Sequence, residues 1–490
     1  MPIPTATNPL VRSSTPRPVE GERASGPGPS AGVWAWGLAS VFFALYATLS
    51  IRLHQRMLTT GYDLGIFEQA VRSYAHGHLP VAELKGHAFP LLGDHFSPIT
   101  ATIAPFYRIW PSPITLLVAQ AALLALAVVP LTRWAHQAVG RGAALVVGLG
   151  CGASWGIAQA VGFDFHEVCF AVPLLAFSLE ALGRNRWRTA VAWALPLLLV
   201  KEDLGLTVAA IGALIAYRGR HRLGLATAAA GLAGTLIEVL VVIPAFNPAG
   251  GYAYLAKVPA SSGTTGTDPL DLLLHYTIGM VTPEAKLATL LMLLAPTAFL
   301  ALRSPLSFLA LPTLAWRFAS DNPAYWGTSY HYSAALMPIV FAAFTDALAA
   351  PHRPSPRADI VRGRRGILII SATVTALTLP LFPLAQLTDA ATWHTSPRIA
   401  AAHRVLDMIP DGATVAASNR LVPQLTNRCT VTVFGWPDNH TTPEWIIIDT
   451  ATPQGWPISP QQETQMLAQT RADGYHTVVE TDGYTLLKRS

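Results

Sequence analysis

Charge is what this sequence has least of. Asp, Glu, Lys and Arg make up 12% of the 490 residues, where soluble globular proteins carry about 25%. With 51% hydrophobic residues and a mean hydropathy of +0.38, the chain cannot cover its own surface in water. A soluble multidomain protein is excluded, and the composition is that of a polytopic α-helical membrane protein. Cysteine is also scarce. Cys151, Cys169 and Cys429 are the only three, too few and too scattered for a disulfide framework or a Cys-based zinc site. The formal net charge of +5 would suggest nucleic acid as the partner of a soluble protein. Here the arginines fall in short clusters between apolar runs, as in cytoplasmic loops, so no nucleic-acid partner is expected. Residues 1–30 lack the apolar core of a signal peptide and are rich in Pro, Ser, Thr and Gly. They are expected to form a disordered cytoplasmic tail. Neither a solenoid repeat nor the matched inverted halves of many transporters is visible.

What the sequence does have is a series of apolar runs. A spanning helix needs about 20 mostly apolar residues, and clear candidates are 33–51, 113–132, 143–161, 168–182, 222–245, 285–302, 332–350 and 366–387. Segment 304–318 is shorter, and 98–110 is marginal. The stretch 189–217 is interrupted by Lys201-Glu202-Asp203, with Arg184, Arg186 and Arg188 before it and Arg218, Arg220 and Arg222 after it. If both arginine clusters are cytoplasmic, the chain must go out and return between them, turning at Lys201. Arg133 with Arg141, Arg303, and the run Arg353 to Arg365 mark other inner loops. Threading all of these predicts about eleven transmembrane helices over residues 31–390, with the N-terminus cytoplasmic. From about 391 to 490 the polarity is ordinary. Strand signals at Ala413–Ala417, Val431–Phe434, Trp445–Asp449, His476–Glu480 and Tyr484–Lys488, with a helical pattern at 461–474, predict a small C-terminal α/β domain. The last two strands flank Asp482-Gly483, a hairpin signal. This topology makes the domain extracytoplasmic.

Sorting the polar residues by this topology sends them to one face. The long first outer loop, 52–97, holds Asp63, Glu68, Asp94 and His95. Gly162–Glu167 packs Asp164, His166 and Glu167 into six residues. Lys201-Glu202-Asp203 forms a turn, the loop 247–284 brings Tyr252, Tyr254, Lys257 and His275, and Tyr330-His331-Tyr332 precede an apolar run. Ionisable residues at membrane depth are costly and are candidates for function, so these loops predict a polar cavity opening outward. Each motif also has a plain reading. Lys201-Glu202-Asp203 could be an ion-paired turn, Asp164 to Glu167 a solvated loop, Asp94-His95 a helix cap, and His331-Tyr332 an interface anchor. Asp164, His166 and Glu167 are also plausible ligands for one divalent ion, without a high-specificity spacing.

Tyr62-Asp63-Leu64-Gly65-Ile66-Phe67-Glu68-Gln69, Gly93-Asp94-His95-Phe96-Ser97-Pro98, Phe165-His166-Glu167, Lys201-Glu202-Asp203-Leu204-Gly205 and His331-Tyr332-Ser333 resemble a family of predicted bacterial integral-membrane proteins common in actinobacteria. That family is defined without a reaction. The layout is also similar to the GT-C glycosyltransferases, which use polyprenyl-phosphate sugars outside the membrane. The likeness implies a GT-C-like fold in the cell membrane, with membrane lipid and a polyprenyl-phosphate-linked sugar as partners. It places Asp63 where the catalytic acid of those enzymes lies, and Asp164-Phe165-His166-Glu167 in the loop of their second acidic motif. Protein mannosyltransferases have adjacent acids, whereas Asp63 is followed by Leu64. Transfer from a lipid phosphate needs a base and a charge that stabilises the departing phosphate. Asp63 is the expected base, and Lys201 is expected to meet the phosphate with Glu202 and Asp203 holding it. Asp94, His95, His331 and Tyr332 are expected to bind substrate, and Asp164, His166 and Glu167 to hold Mg or Mn. The alternatives are a transporter or flippase, in which the same residues relay ions, and a non-catalytic envelope scaffold.

Overall fold

A computed structural model describes residues 31–254, 269–350, 357–436 and 442–490. The expected tail 1–30 and Lys257 lie outside the described residues. Among those described, five helices are long and apolar enough to cross a bilayer: Gly32–Gln55, Pro113–Ala138, Arg141–Gly162, His221–Phe246 and Gly363–Leu381. A sixth span results if Leu273–Met280 and Glu284–Thr297, bent by 46° at their junction, count as one. Shorter apolar helices run over Val168–Gly183, Trp187–Leu199, Leu204–Tyr217 and Leu336–Ala349. A count of about eleven therefore requires a crossing from each short helix and from 304–318, which is a 3-10 turn (Pro305–Ala310) leading into the helix Leu311–Ala319. The expected helix 285–302 stops at Thr297, because Ala298 and Phe299 both take left-handed φ values of 49° and 59°.

The interrupted stretch 189–217 folds as a hairpin. Pro196 lacks the N–H that an α-helix would use, and Trp187–Ala194 tightens into a 3-10 turn over Leu195–Leu199. The chain then turns at residues 200–203 before Leu204–Tyr217. That helix packs backbone to backbone against His221–Ile237. A Cβ on Gly212 would lie 2.4 Å from the Ala228 nitrogen, and one on Gly231 would lie 2.4 Å from the Gly205 carbonyl. Small residues allow this approach where the bilayer supplies no hydrophobic drive between helices. Thr235 pins the turn by donating from its hydroxyl to the Glu202 carbonyl at 2.8 Å.

The C-terminal sheet has five strands, β1 (Thr414–Ala417), β2 (Thr430–Val433), β3 (Trp445–Asp449), β4 (Tyr475–Thr481) and β5 (Tyr484–Arg489), in the order β2-β1-β3-β5-β4. The β2, β1 and β3 strands are parallel, and β3, β5 and β4 are antiparallel. β3 is buried along its whole length, which accounts for the unbroken apolar run Trp445–Ile448. Asp482 and Gly483, with φ of 50° and 80°, form the β4–β5 turn of the kind that two-residue hairpins favour. The helix Pro460–Ala472 starts with a capping box between Ser459 and Gln462.

This domain is not a loose appendage. Gln69 Nε2 donates to the Val431 carbonyl at 3.2 Å, and Arg72 to the Thr426 carbonyl at 2.6 Å. Buried Glu68 accepts from the Tyr107 hydroxyl at 2.8 Å and from the Thr426 hydroxyl. One apolar core runs without interruption from the membrane helices through Val422 and Leu425 to β1 and β2.

Candidate functional site

Asp63 lies in a short π-helical turn, Gly61–Gly65, that leads into the helix Ile66–Ala75. The C-terminal domain fixes that turn. Gly61 N–H donates to the Asn419 carbonyl at 2.8 Å, and Tyr62 N–H to Asn419 Oδ1 at 3.0 Å. A Cβ on Gly61 would sit 2.4 Å from the Val422 side chain, so only glycine permits the contact. Asp63 Oδ1 lies 3.2 Å from His166 Nε2. His166 is held by Gln120, which accepts from the His166 N–H at 3.0 Å and donates to the Asp164 carbonyl at 2.6 Å. The His166 ring stacks on His331 with centroids 3.5 Å apart. Burial, reinforced by His166, holds His331 well below the usual histidine range, so it is neutral at pH 7.

At the hairpin turn Lys201 Nζ pairs with Glu167 Oε1 at 2.8 Å. Burial disfavours the ammonium, but Glu167, Glu202 and Asp203 outweigh it and raise the Lys201 pKa. Burial likewise opposes ionisation of Glu167, yet Lys201 pulls its pKa below the ordinary value. Glu202 is turned elsewhere. It accepts from Phe96 N–H at 3.1 Å and Tyr252 O–H at 2.6 Å, and lies 2.7 Å from His95 Nδ1. Against the cost of burial, His95 and these donors hold it at about 2. Asp203 accepts from Trp316 Nε1 at 2.8 Å, and burial lifts it to about 6. Lys85 pairs with Asp94 at 3.2 Å and lies 5.1 Å from the Tyr62 ring centre.

These side chains surround one cavity of about 140 Å³, lined by Asp63, Asp94, His95, His166, Glu167, Lys201, His331 and Tyr332 together with Tyr62, Lys85, Tyr254 and Tyr325. A second space of about 300 Å³ adjoins it, walled by Leu206, Leu236, Val239, Leu240 and Trp316, with Glu202 and Asp203 at its polar end. Lys201, Tyr254 and Tyr325 are common to both. Leu236 and Leu240 are more than half exposed on the outside of the bundle, so this apolar groove opens where lipid would lie.

The expected sites divide accordingly. Asp63, Asp94, His95, His166, Glu167, Lys201, His331 and Tyr332 come together, with Glu202 and Asp203 on the groove side. Two expectations need correction. Glu202 and Asp203 do not hold Lys201 in place by contact, because His95 and Trp316 take their carboxylates; Glu167 is the partner. Asp164, His166 and Glu167 do not form a ligand set for Mg or Mn. Asp164 accepts from Thr60 N–H at 3.0 Å and Thr60 O–H at 2.6 Å, His166 faces Asp63 and Glu167 faces Lys201. Among the described residues no three His, Cys, Asp or Glu side chains converge as metal ligands. Lys85, Tyr325 and Trp316 were missed. Lysine scarcity was the available signal for Lys85: the chain has five lysines, and two of them line this cavity.

The profile of the predicted membrane protein family DUF2079 matches residues 53–486, a range that spans both the cavity and the C-terminal sheet. The chain belongs to the DUF2079 family. No curated protein matches it in sequence. Among solved structures, ArnT from Cupriavidus metallidurans bound to undecaprenyl phosphate superposes on this DUF2079 chain with a TM-score of 0.57, at 12% identity over 94% of this chain and 98% of that one. The apo state of the same protein gives 0.54 with the same identity and coverage. The archaeal oligosaccharyltransferase AglB from Archaeoglobus fulgidus, in complex with an inhibitory peptide and a dolichol-phosphate, superposes at 0.36 with 13% identity over 93% of this chain and 74% of that one. The likeness to ArnT is one of fold and extends over nearly the whole of this DUF2079 chain.

Proposed function

We propose that this protein transfers a sugar from a polyprenyl-phosphate donor to an acceptor on the outer face of the membrane. The observation that carries the reading is the junction at Lys201, where a polar cavity containing Asp63 meets an apolar groove open to lipid. A polyprenyl chain needs the groove, its sugar needs the cavity, and its phosphate falls between them beside the half-buried Lys201 ammonium. ArnT, of the same fold, is described as bound to undecaprenyl phosphate. A carrier for lipids would also use a groove and could relay ions through the same carboxylate and imidazole, so sugar transfer itself is the discriminating measurement.

In this reading Asp63 takes the proton of the acceptor hydroxyl, with His166 orienting its carboxylate. The acceptor oxygen bonds to the anomeric carbon while the bond from that carbon to the phosphate oxygen breaks. The electron pair leaves with the polyprenyl phosphate, next to Lys201. A single displacement inverts the anomeric centre. Tyr332 and His331 line the sugar side of the cavity, and Asp94 is held there by Lys85. The test is sugar transfer from undecaprenyl-phosphate-linked sugars by the purified protein, comparing wild type with Asp63→Asn. Transfer that Asp63→Asn lowers about 10²–10⁴-fold is expected. Wild-type protein that turns over no such donor but moves a lipid or solute across vesicles would replace this reading with transport.

A further inference from the structure

Glu202 lies at the tip of the hairpin, is 1% exposed, and gathers three groups from two separate stretches of chain. Phe96 N–H and Tyr252 O–H donate to it at 3.1 and 2.6 Å, and His95 Nδ1 lies 2.7 Å from it. A carboxylate so placed makes Nδ1 a donor and leaves Nε2 as the ring's other functional atom. The ring lines the polar cavity and stacks on Tyr254 with centroids 4.4 Å apart, which fixes its direction. Tyr254 also borders the lipid-side groove. His95 is therefore held rigidly at the boundary between the two spaces, on the same side as Lys201.

We infer that His95 is a phosphate-binding and acid residue of this site, its Nε2–H directed at the phosphate oxygen that leaves the sugar. The inference rests on the proposed transfer reaction and adds to it the residue that meets the leaving group. Lys201 is engaged by Glu167 at 2.8 Å and supplies field. His95 supplies a proton with a direction. When the bond between the anomeric carbon and the phosphate oxygen breaks, the electron pair stays on that oxygen, which takes the Nε2 proton. Polyprenyl phosphate departs as its monoanion and His95 is left neutral. Asp63 meanwhile holds the acceptor's proton, and solvent exchange returns both groups to their starting states. The groups acting on the ring are Glu202 and Lys201 from the hairpin and Asp94 beside it, Glu167 and His331 elsewhere in the cavity wall, and Tyr254 stacked on it. Burial works against the imidazolium and Lys201 repels it, but Glu202 outweighs both and raises the His95 pKa above the usual value.

Undecaprenyl phosphate is the probe, titrated into the purified full-length protein, with undecaprenol as the phosphate-free control. His95→Asn keeps a donor toward Glu202 in the Nδ1 position but has neither charge nor a donor at Nε2. It should weaken undecaprenyl phosphate binding about 10-fold or more, the loss of one charge-assisted hydrogen bond, and leave undecaprenol binding unchanged. His95→Gln has the opposite geometry, keeping a neutral donor toward the cavity while losing Glu202. Wild-type affinity in His95→Asn, with or without a defect in His95→Gln, would make His95 a structural tie and overturn the inference. Failure of the wild type itself to bind undecaprenyl phosphate would instead defeat the proposed function.

Discussion

Asp164 places its carboxylate on Thr60, and the consequence is mechanical. The contact ties the GFDFHE loop to the start of the turn that carries Asp63, with Asp164 itself in a left-handed conformation at φ 51°. Asp164→Ala leaves the half-buried Thr60 N–H without its acceptor, a loss of about 1 kcal/mol. A lower Tm with lipid binding retained is expected. Asp63→Asn should behave in the reverse way, since Asn keeps the shape and one acceptor but cannot take a proton. General-base catalysis contributes about 10²–10⁴-fold, so transfer should fall by that much while Tm holds. Equal rates would remove Asp63 from the chemistry. These two acids look alike in sequence, each preceding an apolar or aromatic residue in a short loop. What separates them is the neighbour across space, Thr60 for one and His166 for the other, which no spacing rule encodes. Glu202 illustrates the same point: adjacency in sequence points to Lys201, and the fold brings its carboxylate to His95.

At the scale of elements, the sequence told most where a physical rule has few solutions. Arginine clusters on both sides of 189–217 demanded a hairpin, and the alternation and turn residues after 413 located all five strands. The junction between the C-terminal domain and the first loop was not legible, because it is built from carbonyls, Asn419 and a buried carboxyl. Glu68 is the sensitive point of that junction. Burial is the largest influence on it, opposed by Thr426 and Tyr107, and its pKa rises from 4.5 to about 7. A folded-state pKa above the unfolded one gives stability that is complete below about pH 4.5 and is lost as pH rises through about 7. The Tm of the wild type should therefore decline over that interval, and Glu68→Gln should flatten the decline. Asp164, raised by burial to about 7, acts in the same direction, so some slope will remain. A wild-type and Glu68→Gln pair with identical pH profiles would show that the junction does not titrate. The hairpin offers a second test. Gly212→Val would force side-chain atoms into the Ala228 backbone, and overpacking of this kind costs about 1–3 kcal/mol. Because Lys201 and Glu202 are carried on the tip, lipid-phosphate binding should weaken along with Tm.

For the whole molecule, the sidedness of the cavity decides which reaction is available to it. The turns holding Arg184, Arg186, Arg218 and Arg220 lie at one end of the helices Trp187–Leu199 and Leu204–Tyr217, and Lys201 lies at the other. Arg133 and Arg141 likewise flank the connection between the helices Val128–Ala138 and Arg141–Gly152. Positive charge is retained on the cytoplasmic side during insertion, so the end bearing the cavity should face out. The C-terminal domain must share that side, because it is bonded to the turn carrying Asp63 through Gly61, Tyr62, Gln69 and Arg72. A reporter that is active only in the cytoplasm, fused after Ser490, should be silent, and one fused at Asn185 should be active. Activity in the first fusion would turn the whole assembly over and place the cavity with cytoplasmic sugar nucleotides rather than with lipid-linked donors. The lipid groove would then need another occupant, so this one measurement bears on the chemistry as directly as any change to Asp63.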